Sequence, residues 1–260
     1  MLDRRALLIG AVACLPLSAC DVRLPWADPD PEPSGADGAG TGGGGGCGAP
    51  EALESFDELA WSPLAYEETG TRQAFTADPQ FIALLRQWAD DWVAVAGLGP
   101  LTEVSTYGAY VDKCPSWHAR GRAFDIAGLT HEDGVVSCRY DQWGDDPGRL
   151  RAYWRLAASL STRFTYTLTY PFNGQHHNHI HVDNGVNGYS EPVFDSSSRA
   201  QTQVVQGVLK YVFGADVTIS GDFDDTTVDA VRDVQRSAGI RARLATPEGW
   251  RAFLTVAATA

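Results

Sequence analysis

The chain has 260 residues, of which 44% are hydrophobic and 20% charged, enough for one or two packed domains of ~100–200 residues each. Its formal charge of −13 repels phosphate backbones, which argues against a nucleic-acid partner. No apolar stretch reaches the ~18 residues of a conventional membrane span.

The N-terminus reads as an export signal. Arg4 and Arg5 precede an apolar run from Ala6 to Leu17, followed by small residues. The ending Leu17-Ser18-Ala19-Cys20 resembles a bacterial lipobox, and that resemblance implies cleavage before Cys20 and a lipid anchor on it. The Arg4-Arg5 pair is also similar to a twin-arginine signal. Residues 1–20 are therefore expected to be a lipoprotein signal, leaving a membrane-anchored protein of the cell envelope. Residues 21–50, rich in Pro, Asp and Gly and with five consecutive glycines from Gly42 to Gly46, cannot bury apolar surface and are predicted to be a flexible linker. As a Gly-rich coil it would span roughly 30 Å.

Beyond Pro50 the chain is predicted to be globular. Asp78 and Pro79 read as cap and first residue of a helix that carries Phe81, Leu84, Leu85, Trp88 and Trp92 at helical spacing and stops at Gly97. A second helix starts at Asp146-Pro147, with Leu150, Tyr153, Trp154, Ala157 and Leu160 on one face. Leu101–Thr106 and Arg122–Ala127 read as strands. Phe164–Tyr170 alternates as a strand with one buried face should. Mixed helices and strands without a βαβ rhythm indicate an α+β fold over residues 51–197.

Of the five cysteines, Cys14 leaves with the signal, Cys20 would carry lipid and Cys47 lies in the linker. In an exported protein, Cys114 and Cys138 are then expected to form a disulfide. No Cys-x-x-Cys spacing suggests a metal role for them.

All six histidines lie between His118 and His181. One group is Ser116-Trp117-His118-Ala119-Arg120-Gly121-Arg122-Ala123-Phe124-Asp125, the other His176-His177-Asn178-His179-Ile180-His181-Val182-Asp183. On a strand, His179, His181 and Asp183 share a face while Ile180 and Val182 point into the core. Asp125 shares its face with the small Ala123 and Ala127, and Gly121 permits the turn that brings His118 back beside it. Two imidazoles and a carboxylate with one open position form the expected shell of a catalytic zinc, which acidifies water and polarises a carbonyl. A hydrogen-bonded polar cluster without metal is the alternative.

The pattern Ser116-x-His118-x-x-Gly121-x-Ala123-x-Asp125, with the later His179-x-His181, resembles the D-Ala-D-Ala carboxypeptidase-like zinc peptidase superfamily, and within it the bacterial extensin-like C-terminal family. Cys114, Cys138-Arg139 and the Asn178–Asp183 element carry the closer likeness. The resemblance implies a small antiparallel sheet with flanking helices. It implies His118, Asp125 and His181 as zinc ligands, His179 as the catalytic group beside them, and Asp183 orienting a histidine ring. Ser116 would contact the substrate or a ligand. Some relatives have a carboxylate at the position of Asn178, which cannot accept a proton, so general-base duty falls to His179, His177 or another group. Arg120, Arg122 and Lys113 are candidates for holding a substrate carboxylate.

Residues 198–260 are predicted to form a three-helix module. Val204, Val205, Val208, Leu209 and Val212 line its first helix. Val228, Val231 and Val234 line the second, capped near Thr227 and stopped by Gly239. Thr246 caps the third, which carries Trp250, Phe253 and Leu254. The stretch Gly221–Thr227 and Ala230-Val231-x-x-Val234-Gln235 resembles a peptidoglycan-binding module. The expected function is zinc-dependent hydrolysis of amide bonds in peptidoglycan peptides. A non-catalytic zinc-containing wall-binding protein and a disulfide-stapled structural protein without metal are the other readings.

Overall fold

The computed structural model describes residues 50, 52–113 and 115–260. The expected signal, Cys20, the linker up to residue 49, Cys47 and Cys114 lie outside the described residues.

The two helices read from Asp-Pro pairs form where local chemistry places them. In α1 (Pro79–Ala96), the Asp78 carboxylate accepts from the backbone N–H groups of Gln80 and Phe81 at 2.9 and 3.0 Å, and Gly97 ends the helix at φ 71°. Only a residue without Cβ takes that left-handed angle at little cost. In α3 (Pro147–Ser161), Asp146 accepts from Arg149 N–H at 2.8 Å. Both helices bury tryptophans against one core, Trp88 and Trp92 from α1 and Trp154 from α3.

Five short strands precede α1: β1 (Glu54–Phe56), β2 (Glu58–Leu59), β3 (Ser62–Tyr66), β4 (Thr71–Arg72) and β5 (Phe75–Ala77). After α1 come β6 (Leu101–Gly108), β7 (Ala123–His131), β8 (Gly134–Ser137), the single-turn helix α2 (Tyr140–Trp143), α3, β9 (Tyr166–Leu168) and β10 (Ile180–Asp183). An eight-stranded sheet runs β2-β3-β6-β7-β10-β9, with β4 on β3 and β8 on β7, while β1 and β5 pair separately. The expected antiparallel sheet is thus corrected to a mixed one, because β3 runs parallel to β6. The chain between them includes α1, the kind of crossover that parallel neighbours need.

Strand β7 is the axis of the sheet. One edge pairs with β6 along its length. The other edge is shared, with Ala123–Ile126 facing β10 and Gly128–His131 facing β8. Cys138 follows β8, with its N–H bonded to the carbonyl of Ala127. It is buried, and burial pushes its thiol pKa up; its expected disulfide partner, Cys114, lies outside the described residues.

The Phe164–Tyr170 segment also departs from expectation. Only Tyr166–Leu168 is strand, and every residue from Phe164 to Thr169 is buried. Its alternation does not mark a solvent face because α3 and α4 (Arg199–Tyr211) both pack against β9.

The C-terminal helices α4, α5 (Asp225–Ser237) and α6 (Pro247–Thr259) occupy the expected positions. Asp224 caps α5 by accepting from Thr227 N–H at 2.8 Å, while Thr227 itself is buried. The three helices do not stand apart from the rest. Helices α4 and α6 pack on α3, and Val204, Leu209, Trp250 and Phe253 join the same buried cluster as Trp88 and Trp154. Gly207 lies so close to Trp154 that a Cβ would fall 2.3 Å from the ring. Arg155 on α3 donates to carbonyls of Ala258 at 3.0 Å and Val95 at 3.2 Å, tying α6 and α1 together. No helix among the described residues is long and apolar enough to cross a membrane.

Candidate metal centre

The site is assembled by strand register. Antiparallel pairing of β7 and β10 sets Asp125 directly opposite His181, with Ile126 opposite Ile180 and Phe124 opposite Val182. Alternation then sends Ile180, Val182, Phe124 and Ile126 into the core and leaves His181, Asp183 and Asp125 together on the other face. His118 arrives on a 3₁₀ turn, His118–Arg120, that ends at Gly121 with φ 66°. A Cβ at Gly121 would lie 2.7 Å from the backbone nitrogen of Asp78, so glycine is required both by the angle and by the close approach.

The distances are short and mutually consistent. His181 Nδ1 lies 2.9 Å from Asp125 Oδ1, His118 Nε2 lies 3.3 Å from Asp125 Oδ2, and the two ring nitrogens are 3.2 Å apart. A tetrahedral zinc with bonds of ~2.0–2.1 Å has ligand–ligand edges of roughly 3.3 Å. Outer partners fix both rings. The Nδ1–H of His118 donates to the carbonyl of Ala109, and Nε2–H of His181 donates to Asp183 Oδ2 at 3.2 Å. With those protons outside, each inner nitrogen turns a lone pair toward the Asp125 carboxylate. Three electron-rich groups facing one another require a cation between them, whether protons or a metal ion. His118, Asp125 and His181 are the group among the described residues that could hold a metal.

The charge states follow the same geometry. Burial opposes charge on His181, but its hydrogen bonds to Asp125 and Asp183 outweigh this and hold its pKa well above the usual imidazole value. Burial also opposes charge on His118, and the adjacent Asp125 carboxylate again raises it. Burial would raise Asp125, yet the His118 and His179 charges pull it well below the carboxylate range.

Around this centre, Asp183 is buried and uses its second oxygen to accept from Gly185 N–H at 2.7 Å. His179 directs Nε2 toward Asp125 Oδ1 at 3.5 Å, while its Nδ1 bonds Asn178 Oδ1 at 2.7 Å. The other candidate residues make contacts of their own. Ser116 accepts from His118 N–H at 3.1 Å and so holds the turn. His177 packs edge-on against Tyr140 of α2, with centroids 5.7 Å apart. Arg120 and Arg122 stack on Trp117, and Arg122 is bonded to Asn184 through Nε at 2.9 Å. His131 is a core histidine at the far end of β7, accepting from Trp92 Nε1–H at 3.0 Å and donating to the carbonyl of Gly99 at 2.9 Å.

Two neighbours escaped the sequence reading. Tyr107 lies within a register shift of β6, between Thr106 and Gly108, and its ring lies 5.7 Å from that of His179. Burial is the main cause of the rise of its pKa to about 12, and the Arg139 charge works against that rise. Tyr107 has no signal beyond being one more aromatic. His176 stood in view within the histidine run. It is buried, its ring packs near those of His179 and His181, and burial drives its pKa well down.

Residues 44–190, more than half of the chain, match the family described as extensin-like protein C-terminus. The chain belongs to this family. No curated protein and no solved structure matches it. The extensin-like stretch contains the whole His-Asp constellation and ends soon after Asp183, so α4, α5 and α6 lie outside it.

Proposed function

We propose that this extensin-like protein is a zinc-dependent peptidase of the bacterial cell envelope, related to the D-Ala-D-Ala carboxypeptidase-like superfamily, that hydrolyses amide bonds in peptidoglycan peptides. The single observation carrying this reading is the convergence of two tautomer-fixed imidazole lone pairs and one carboxylate at tetrahedral spacing. His118, Asp125 and His181 would hold the zinc, and Asp183 would keep the His181 ring in place. A bound zinc supplies a Lewis acid for the substrate carbonyl and acidifies water. His179 takes a proton from the attacking water through Nε2 and passes it to the leaving amine as the C–N bond breaks. The expected export signal, the lipid on Cys20 and the linker over residues 21–50 would hold the protein near the wall. The Gly221–Gln235 stretch would contact peptidoglycan.

A second reading is a non-catalytic zinc-containing wall-binding protein. It is favoured by Asn178, an amide where some relatives have a carboxylate. Elemental analysis of the full chain, combined with digestion of a broad set of muropeptides, separates the readings. Zinc near one equivalent with new amine and carboxylate ends supports the peptidase. Zinc without cleavage supports the binder. Absence of zinc and indifference to chelators refutes both. Under the peptidase reading, His181→Ala abolishes metal retention and cleavage together, and cleavage that survives the substitution removes His181 from the site.

A further inference from the structure

Asn178 sits immediately after the 3₁₀ turn Gly174–His177 and immediately before His179. Its side-chain oxygen is the end that meets the ring. Oδ1 lies 2.7 Å from His179 Nδ1, a bond in which only the imidazole can donate, because a carbonyl oxygen has no hydrogen. The amide thus fixes a proton on that ring nitrogen of His179, while the Tyr107 ring packs against the imidazole with centroids 5.7 Å apart. The same turn repeats the device one step earlier, where Asn173 Oδ1 lies 2.8 Å from His176 Nδ1.

From this geometry we infer that Asn178 is a positioning residue that keeps a proton of His179 on Nδ1 and turns Nε2 toward Asp125. The inference rests on the peptidase reading for its purpose but not for its geometry. It gives the departure from a carboxylate a physical role. A carboxylate here would add a negative charge beside Asp125 and Asp183, whereas an amide orients the ring without adding charge. Nε2 is then left 3.5 Å from Asp125 Oδ1, on the side of the ring where a proton has to be received. Asn178 itself exchanges no proton and touches no reacting atom.

Long-range ¹H–¹⁵N spectra of the histidine-labelled full chain test this directly, with His179 assigned by difference against His179→Gln. The expected result is an Nδ1–H tautomer in the unsubstituted protein, its loss in Asn178→Leu, and its return in Asn178→Asp. Zinc content should be the same in all of these except where His179 itself is changed. On the peptidase reading, kcat falls about 100-fold in Asn178→Leu with KM unchanged, the scale of a misplaced general base, and recovers to within about tenfold in Asn178→Asp. An unchanged His179 tautomer in Asn178→Leu overturns the inference, even if cleavage falls. Should Asn178→Leu fail to fold, an Nε2–H tautomer for His179 in the unsubstituted protein overturns it equally. Failure of the unsubstituted protein to cleave any muropeptide refutes the peptidase reading alone, since the tautomer is read without turnover.

Discussion

Two regions of the molecule bury polar side chains, and they do so in opposite ways. In the C-terminal helices, Gln206 is completely buried, and its amide is consumed by its neighbours. The nitrogen bonds Ser220 Oγ, the carbonyl of Asp222 and Thr227 Oγ1, while the oxygen accepts from Gly221 N–H at 2.8 Å. Around β7 and β10, His118 and His181 are also buried, yet each spends one nitrogen on an outer partner and aims the other at Asp125. The first arrangement closes on itself. The second is complete only when a positive charge fills it. Burial alone therefore does not distinguish structural from functional polar groups; the direction of the spare lone pairs does.

That contrast can be broken most forcefully by removing one of its sides. A chain ending at residue 197 uncovers Trp154 and β9, which α4 and α6 pack against, and should lose cooperative folding altogether, a loss on the scale of a whole domain's ~5–15 kcal/mol. Thermal unfolding followed by near-ultraviolet circular dichroism reads this, and a sharp transition in the truncated chain would show that the helices are an appendage after all. Gln206→Leu is a smaller perturbation. It leaves Gly221 N–H and Thr227 without their partner and should cost about 1–3 kcal/mol in denaturant unfolding while zinc affinity stays unchanged. Asp183→Asn acts on the other region. It weakens the brace on His181 and lowers zinc affinity about 10–100-fold in chelator competition. Equal effects of the two substitutions on zinc would erase the distinction between the regions.

What could be read in the sequence was whatever is encoded locally. Asp78-Pro79, Asp146-Pro147 and Thr246-Pro247 state helix starts in adjacent residues, and all three helices begin there. The His-Asp set was legible because strand alternation and the Gly121 turn act over a few residues. Features that depend on distant segments were not. Strands β1 to β5 are too short to show a period, and the parallel pairing of β3 with β6 is decided by the path of α1. The buried second face of Phe164–Thr169 is imposed by α4, more than 30 residues downstream. Tyr107 reaches His179 from another strand. The cap of α5 proved to be Asp224, whose side chain reaches forward three residues to Thr227.

The direct opposition of Asp125 and His181 has a consequence for how such a centre can vary among descendants of this chain. Because neighbouring side chains on a strand emerge on opposite sides, sliding β10 by a single position would present Val182 to Asp125 and drive the imidazoles inward. No partly working intermediate lies between the two alignments. Single insertions or deletions inside either strand would therefore be purged, and the turns that carry His118 and His179 onto β7 and β10 are tied to the same alignment.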